Sequence, residues 1–262
     1  MSLKKKLNEG LKKLQLTSIK ENFEEYSKQA TKESLSYEHY LGLLVDMEIE
    51  QRQQNKVARY LKESKLPLEK NFDQFDKNQL PVKLKQQLSQ LLEGHFVDHR
   101  ENVLAFGTPG GGKTHLLCAF GQHLIQTQGR RVFFTTCSEI VEKLLTAKKE
   151  LIMAKLIKKL AKYEVLIIDD IGYVEQSREE MSVLFTLLAE RYERGSLLIT
   201  SNLPFSKWEQ IFKDPMTTAA AIDRLVHHST ILDLNIGSYR MNKAKENNQE
   251  GANKIMPKTN KG

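Results

Sequence analysis

The segment that most constrains this chain is GTPGGGKT at 107–114, set between an apolar run, VLAF at 103–106, and a helix-like stretch, HLLCAFGQHL at 115–124. It satisfies G-x-x-x-x-G-K-[ST], and the order strand, loop, lysine, hydroxyl residue, helix is the one a phosphate-binding loop requires. Gly110, Gly111 and Gly112 let successive backbone N–H groups converge on an anion with no Cβ in the way. The positive end of the following helix adds to that attraction. Lys113 would place a point charge between the β- and γ-phosphates, and the Thr114 hydroxyl would ligate Mg²⁺. Gly107, Thr108 and Pro109 complete the nucleotide-contacting stretch, and His115 packs beside it. A merely structural glycine turn gives no reason for Lys113-Thr114 to follow Gly112.

Around this loop, short apolar runs alternate with helical stretches: VLAFG at 103–107, RVFFTTC at 131–137, VLIIDD at 165–170, SLLITSN at 196–202 and STILDLN at 229–235. Such alternation predicts βαβ units, and hence a central parallel β-sheet between two helical layers: a three-layer α/β P-loop NTPase. Residues 1–70 read instead as a small all-helical domain. Leu11, Leu14, Ile19, Phe23 and Tyr26 recur near helical period. A second helix starts after Ser36, carries Leu41, Leu44, Val45, Ile49, Val57, Tyr60 and Leu61, and is ended by Pro67. A linker, LPLEKNFDQFDKNQLP, leads to a helix near 82–98, and the sheet domain is expected over 71–240. The segment 241–262 is polar and lysine-bearing, almost free of large apolar residues, and reads as a disordered basic tail.

Composition narrows the partners. The chain has 262 residues, 40% of them hydrophobic, enough for one large core or two smaller ones. No apolar run reaches a membrane-spanning length, and MSLKKKL has no hydrophobic signal region behind it, so a cytoplasmic protein is expected. Cys118 and Cys137 lie in apolar, regular segments and read as reduced core thiols. A formal charge of +7 permits a nucleic-acid partner without establishing one.

VLIIDD drives four branched apolar residues into two adjacent carboxylates. In a nucleotide-binding sheet, a later strand brings an acid beside the phosphate loop to hold Mg²⁺ and orient water. Asp169 is the metal carboxylate in this reading, and Asp170 accepts a proton from the attacking water or aligns it. An isolated DD pair would more often be a helix cap or a solvated turn; the upstream phosphate loop favours the chemical role. SLLITSN then places Asn202 near the same edge, as a sensor of the γ-phosphate or as an Asx turn before Pro204.

GTPGGGKTHLL, VLIIDDIGY, ITSNLPFSKW, AAAIDRLVHHS and GSYRMN, in this order, resemble the IstB-like ATPases of the AAA+ superfamily, helpers of insertion-sequence transposition related to the DnaC helicase loader and the DnaA initiator. The resemblance covers residues 3–242. It implies an ATP- and Mg²⁺-dependent ATPase that oligomerises on double-stranded DNA, as a ring or helical filament, and recruits or stimulates a transposase. It further implies ATP sites completed at subunit interfaces, with Arg224 in IDRL matching the arginine finger; a surface salt bridge is the ordinary alternative for such a residue. Arg240 in SYR resembles a second, sensor-type arginine. Little chain follows it, so a full helical lid is not expected and its role stays open. Asp170 stands where most AAA+ proteins carry glutamate. One methylene shorter, it implies slow basal hydrolysis that rises on assembly.

The DNA contact is sought in TAKKELIMAKLIKKLAKY at 146–163. At 100° per residue, Lys148, Lys155, Lys158, Lys159 and Lys162 share one face, opposite Met153, Leu156, Ile157 and Leu160. A solvated helix face is the ordinary reading of such a stripe; contact with the DNA backbone is the alternative. Phe72 and Phe75 suit either an adenine or the core, and His227-His228 read as a helix end. Two other functions compete with the transposition helper. A replicative helicase loader would use the same motor core. A small-molecule phosphotransferase would share the phosphate loop but should also show an Arg-rich substrate lid.

Overall fold

The computed structural model describes residues 2–76, 80–172, 177–212 and 214–235. Arg240 and the 241–262 tail lie outside the described residues. The chain divides into two compact units, Met1–Arg59 and Tyr60–Gly262.

The first unit holds α1 (Leu3–Lys13), α2 (Thr17–Lys32) and most of α3 (Tyr37–Ser64), within which the division falls. The apolar spacing from Leu11 to Tyr26 therefore spans two helices rather than one. Gln15 takes a left-handed φ of 57° and turns the chain, leaving Leu14 exposed. Leu11, Ile19 and Leu44 form a small core, with Leu16, Phe23, Tyr26, Tyr40 and Met47 packed against it. The start of α2 has no side-chain cap of its own. Glu48 of α3 supplies one: its Oε2 accepts the N–H groups of Ser18 (2.9 Å) and Ile19 (3.2 Å), while Arg52 Nε donates to its Oε1 (2.8 Å). Burial pushes this carboxyl up, but Arg52 and the two N–H groups outweigh it and hold it below its ordinary value.

In the second unit, α4 (Val82–Leu92) and α5 (His95–Asp98) lead into the sheet. The helix expected near 82–98 is split at Gly94, whose φ of 80° ends the first piece. Then follow β1 (Asn102–Phe106), α6 (Lys113–Gln128), β2 (Val132–Thr136), α7 (Cys137–Lys149), α8 (Met153–Leu160), β3 (Val165–Ile171), α9 (Arg178–Arg191), β4 (Ser196–Ser201), α10 (Glu209–Phe212), α11 (Pro215–Val226) and β5 (Ser229–Asp233). All strand pairs are parallel, in the order β2-β3-β4-β1-β5.

A parallel sheet needs cover on both faces, which is why its strands are continuous apolar runs rather than alternating ones. Val165, Leu166, Ile167 and Ile168 are wholly buried. Each such side chain stabilises the fold by roughly 1.5–3 kcal/mol through burial alone. Leu144, Leu184 and Leu188 from α7 and α9 join Leu166 and Ile168 in one core cluster. Cys118 and Cys137 are buried free thiols, as expected, and burial pushes Cys118 up to about 12.

One sequence expectation fails here. The stretch 146–163 is not a single helix: α7 ends at Lys149, Leu151 adopts a φ of 58°, and α8 begins at Met153. Lys148 therefore belongs to a different helix from Lys155, Lys158 and Lys159, and Lys162 lies past the end of α8. The projection also missed an acid, because Lys148 Nζ lies 3.2 Å from Glu179 of α9. A left-handed residue breaks the 100° progression, and apolar spacing alone does not register it.

Candidate functional site

Because β3, β4 and β1 are parallel neighbours, whatever follows each of them emerges at the same edge of the sheet. The phosphate loop follows β1, the aspartate pair ends β3 and Asn202 follows β4. Three segments far apart in sequence thus converge at the strands' carboxyl ends, where open α/β sheets bind ligands.

The loop's glycines are used for space and conformation. Gly110 and Gly112 have φ of 83° and 85°. At Gly107, with φ of 151°, a Cβ would lie 2.4 Å from the Leu234 carbonyl oxygen. The chain leaving β5 closes against the loop there, and Leu234 N–H donates to Phe106 O at 2.7 Å. Helix α6 starts directly from Gly112 with no side-chain cap and no acid in its first turn, so its N–H groups face the loop without a competing anion.

Lys113 is buried, with Nζ donating to Gly107 O (2.9 Å), Thr108 O (3.0 Å) and Asn202 Oδ1 (2.6 Å). The Asn202 side chain is therefore turned onto the loop lysine. Thr114 Oγ1 donates to Asp169 Oδ1 at 2.9 Å, which leaves the hydroxyl lone pairs available to a cation. That hydroxyl and the buried Asp169 carboxylate are an all-oxygen donor pair of the kind Mg²⁺ takes while keeping several waters. The residues present fit the metal.

Asp169 and Asp170 leave the sheet differently. The β3–β4 register shifts between Ile168 and Ile171, and Asp170 sits in the shift with a φ of 60°. Asp169 is buried while Asp170 is half-exposed.

Other predicted residues divide. His115 faces the 67–76 segment, its Nε2 2.8 Å from Asn71 O, with Phe75 edge-on at 5.3 Å. Phe75 also lies beside Gly112, where a Cβ would meet it at 3.3 Å, whereas Phe72 packs edge-on against Phe120 and His123. Phe72 is thus a packing residue and Phe75 a neighbour of the loop. His227 caps the end of α11, as expected of a helix end, and no metal-binding cluster occurs among the described residues.

Arg224 is not brought to this site. It stacks over the Phe185 ring, 4.8 Å from the centroid, and lines a cavity of about 390 Å³ with His99, Arg100, Asn102, Tyr192 and His228. These residues precede or open β1, β4 and β5, so the cavity lies at the amino ends of the strands. Five residues of β1, roughly 16 Å at the usual rise, separate that end from the loop.

Sequence reasoning missed Thr200, whose Oγ1 donates to Asp169 Oδ1 at 2.6 Å and accepts the Asp170 N–H at 2.7 Å. The signal was present: with a strand period of two, Thr200 faces the same side as Asn202.

Taken together, the 2-3-4-1-5 parallel sheet, the loop and the acids at its carboxyl edge define a P-loop NTPase of the AAA+ type. A profile of the family described as IstB-like ATP binding protein matches residues 9–247, and the chain belongs to that family. A protein named for ATP binding in an insertion sequence of Sinorhizobium fredii is 40% identical over 90% of this chain and 79% of its own. The one named for insertion sequence IS21 of Pseudomonas aeruginosa is 36% identical, over 88% of this chain and 87% of its own. Among solved structures, the DnaC helicase loader superposes with a TM-score of 0.53 at 18% identity, covering 68% of this chain and 99% of that one. Domain III of the Thermotoga maritima initiator DnaA gives 0.55 at 19%, covering 74% and 79%.

Proposed function

We propose that this protein is a Mg²⁺-dependent ATPase that assembles on double-stranded DNA and recruits or stimulates a transposase, with hydrolysis timing the life of the assembly. The observation that carries the reading is the meeting, at one sheet edge, of Lys113 with Asn202 at 2.6 Å and of Thr114 with Asp169 at 2.9 Å. The loop backbone and Lys113 hold the β- and γ-phosphates. Asn202 hydrogen-bonds the γ-phosphate and the lytic water. Asp170 accepts that water's proton. Mg²⁺ held at Thr114 and Asp169 would supply charge neutralisation for the phosphates.

Arg224 fits an arginine finger acting on a neighbouring subunit, since it lies at the opposite end of the sheet from its own loop. The helical residues 1–70 serve subunit or partner contact, 71–240 form the ATPase, and 241–262 are a basic tail. Lys155, Lys158 and Lys159, with Lys148 and Lys162 flanking, supply salt-dependent contacts to DNA phosphates. The insertion-sequence naming of the relatives favours a transposase over a replicative helicase as the partner. No helix of the described residues is long and apolar enough to cross a membrane, which is consistent with a cytoplasmic site of action.

The test is ATP turnover per subunit against protein concentration, with and without duplex DNA. Turnover should rise with both, and Arg224→Ala should bind ATP yet lose the rise. Turnover independent of concentration and DNA would contradict the reading; transfer of phosphate to a small acceptor would replace it with a phosphotransferase.

A further inference from the structure

Thr200 is wholly buried near the end of β4. A hydroxyl has one proton to give, and Thr200 gives it to Asp169 Oδ1 (2.6 Å) while accepting the N–H of Asp170 (2.7 Å). One side chain thus holds the carboxylate of the first aspartate and the backbone of the second. The second bond falls where the β3–β4 register shifts. It falls also on a residue whose φ of 60° is one that few non-glycine residues adopt. A conformation of that kind persists where its surroundings impose it.

We infer that Thr200 is a positioning residue for hydrolysis: it fixes the kink that gives Asp170 its own exit from the sheet, and holds Asp169 Oδ1 against Thr114. Because Asn202 lies two residues further along the same chain, the Thr200 hydroxyl ties the segment that carries Asn202 to both aspartates. The inference rests on the ATPase reading above and adds to it a residue through which the acids are aimed.

The test uses the full chain with Thr200→Val, which keeps shape but removes the hydroxyl, and Thr200→Ser, which keeps the hydroxyl. ATP affinity, kcat and the Mg²⁺ concentration for half-maximal turnover are measured for each. The Val variant should bind ATP within about threefold of the parent and lose about ten- to a hundredfold in kcat, the scale of a small misplacement of a reacting group. Its Mg²⁺ requirement should rise, and the Ser variant should recover most of kcat. Combined with Asp170→Asn, Thr200→Val should add little further loss in kcat at saturating Mg²⁺, because the part of its effect that passes through Asp170 is already gone, while the raised Mg²⁺ requirement, which passes through Asp169, should persist. An unchanged kcat in Thr200→Val, or equal losses in affinity, melting temperature and kcat that serine does not recover, overturns the inference. If the Val variant does not fold, Thr200→Cys, whose thiol is a weak acceptor, takes the same test. If the parent protein hydrolyses no ATP at all, the ATPase reading fails and the inference with it, a result distinct from a normal parent beside an unaffected variant.

Discussion

At the scale of the residue, the aspartate pair shows how two like charges on adjacent positions acquire different surroundings. A regular strand would send them to opposite faces of the sheet, and only one would meet the loop. The register shift and the φ of 60° at Asp170 change that geometry: Asp169 is fastened by Thr114 and Thr200, and Asp170 is left half-exposed. In the proposed division, Asp169 serves the metal and Asp170 the water. Asp170→Asn keeps the shape and removes the base, so ATP affinity should change little while kcat falls about a hundredfold, within the usual range for a general base. DNA-bound complexes of this variant should outlast those of the parent in the presence of ATP. Normal turnover by Asp170→Asn would reduce the second aspartate to a bystander.

At the scale of the element, most of the fold was legible and the breaks were not. The five strands and the loop–helix junction follow from apolar runs, glycines and the Lys-Thr pair, because those signals are local. The division of α1 from α2 and of α7 from α8 was hidden, since each turns on a non-glycine residue, Gln15 or Leu151, in a left-handed conformation. The contact of Glu48 with α2 was equally hidden, because a cap lent by another helix has no local sequence signature. It has a measurable consequence. A carboxyl held below its ordinary value of 4.5 stabilises the fold fully above that value and loses this contribution as pH falls through the lowered one. The protection factors of the Ser18 and Ile19 amides, corrected for intrinsic exchange, should therefore fall below about pH 4.5. Glu48→Gln should weaken protection at pH 7 by about 1–3 kcal/mol and abolish the acid dependence. Protection factors that stay flat across this range in the parent chain would remove the cap from the account.

α8 carries the other prediction at this scale. Among the described residues, Lys155, Lys158 and Lys159 have no acidic partner, whereas Lys148 pairs with Glu179. Reversing Lys155, Lys158 and Lys159 to Glu should abolish DNA binding at moderate salt and leave ATP affinity intact. Lys148→Glu alone should do less. Unchanged DNA affinity in the triple variant would return the stripe to an ordinary solvated face.

At the scale of the whole molecule, the placement of Arg224 carries the most meaning. The sequence showed Arg224 as one arginine in IDRL; the topology puts it at the amino ends of the strands, against Phe185, with the phosphate loop at the carboxyl ends. Arranged this way, Arg224 could meet a phosphate loop only on a neighbouring subunit, so the proposed arginine-finger role requires an assembly rather than a single subunit. Electron microscopy of the full chain with duplex DNA and a non-hydrolysable ATP analogue tests this most directly. Rings or helical filaments should form on the DNA only with the nucleotide, with Arg224 of each subunit at the phosphate loop of the next. Single subunits away from the DNA, or assemblies in which Arg224 faces no nucleotide, would contradict it.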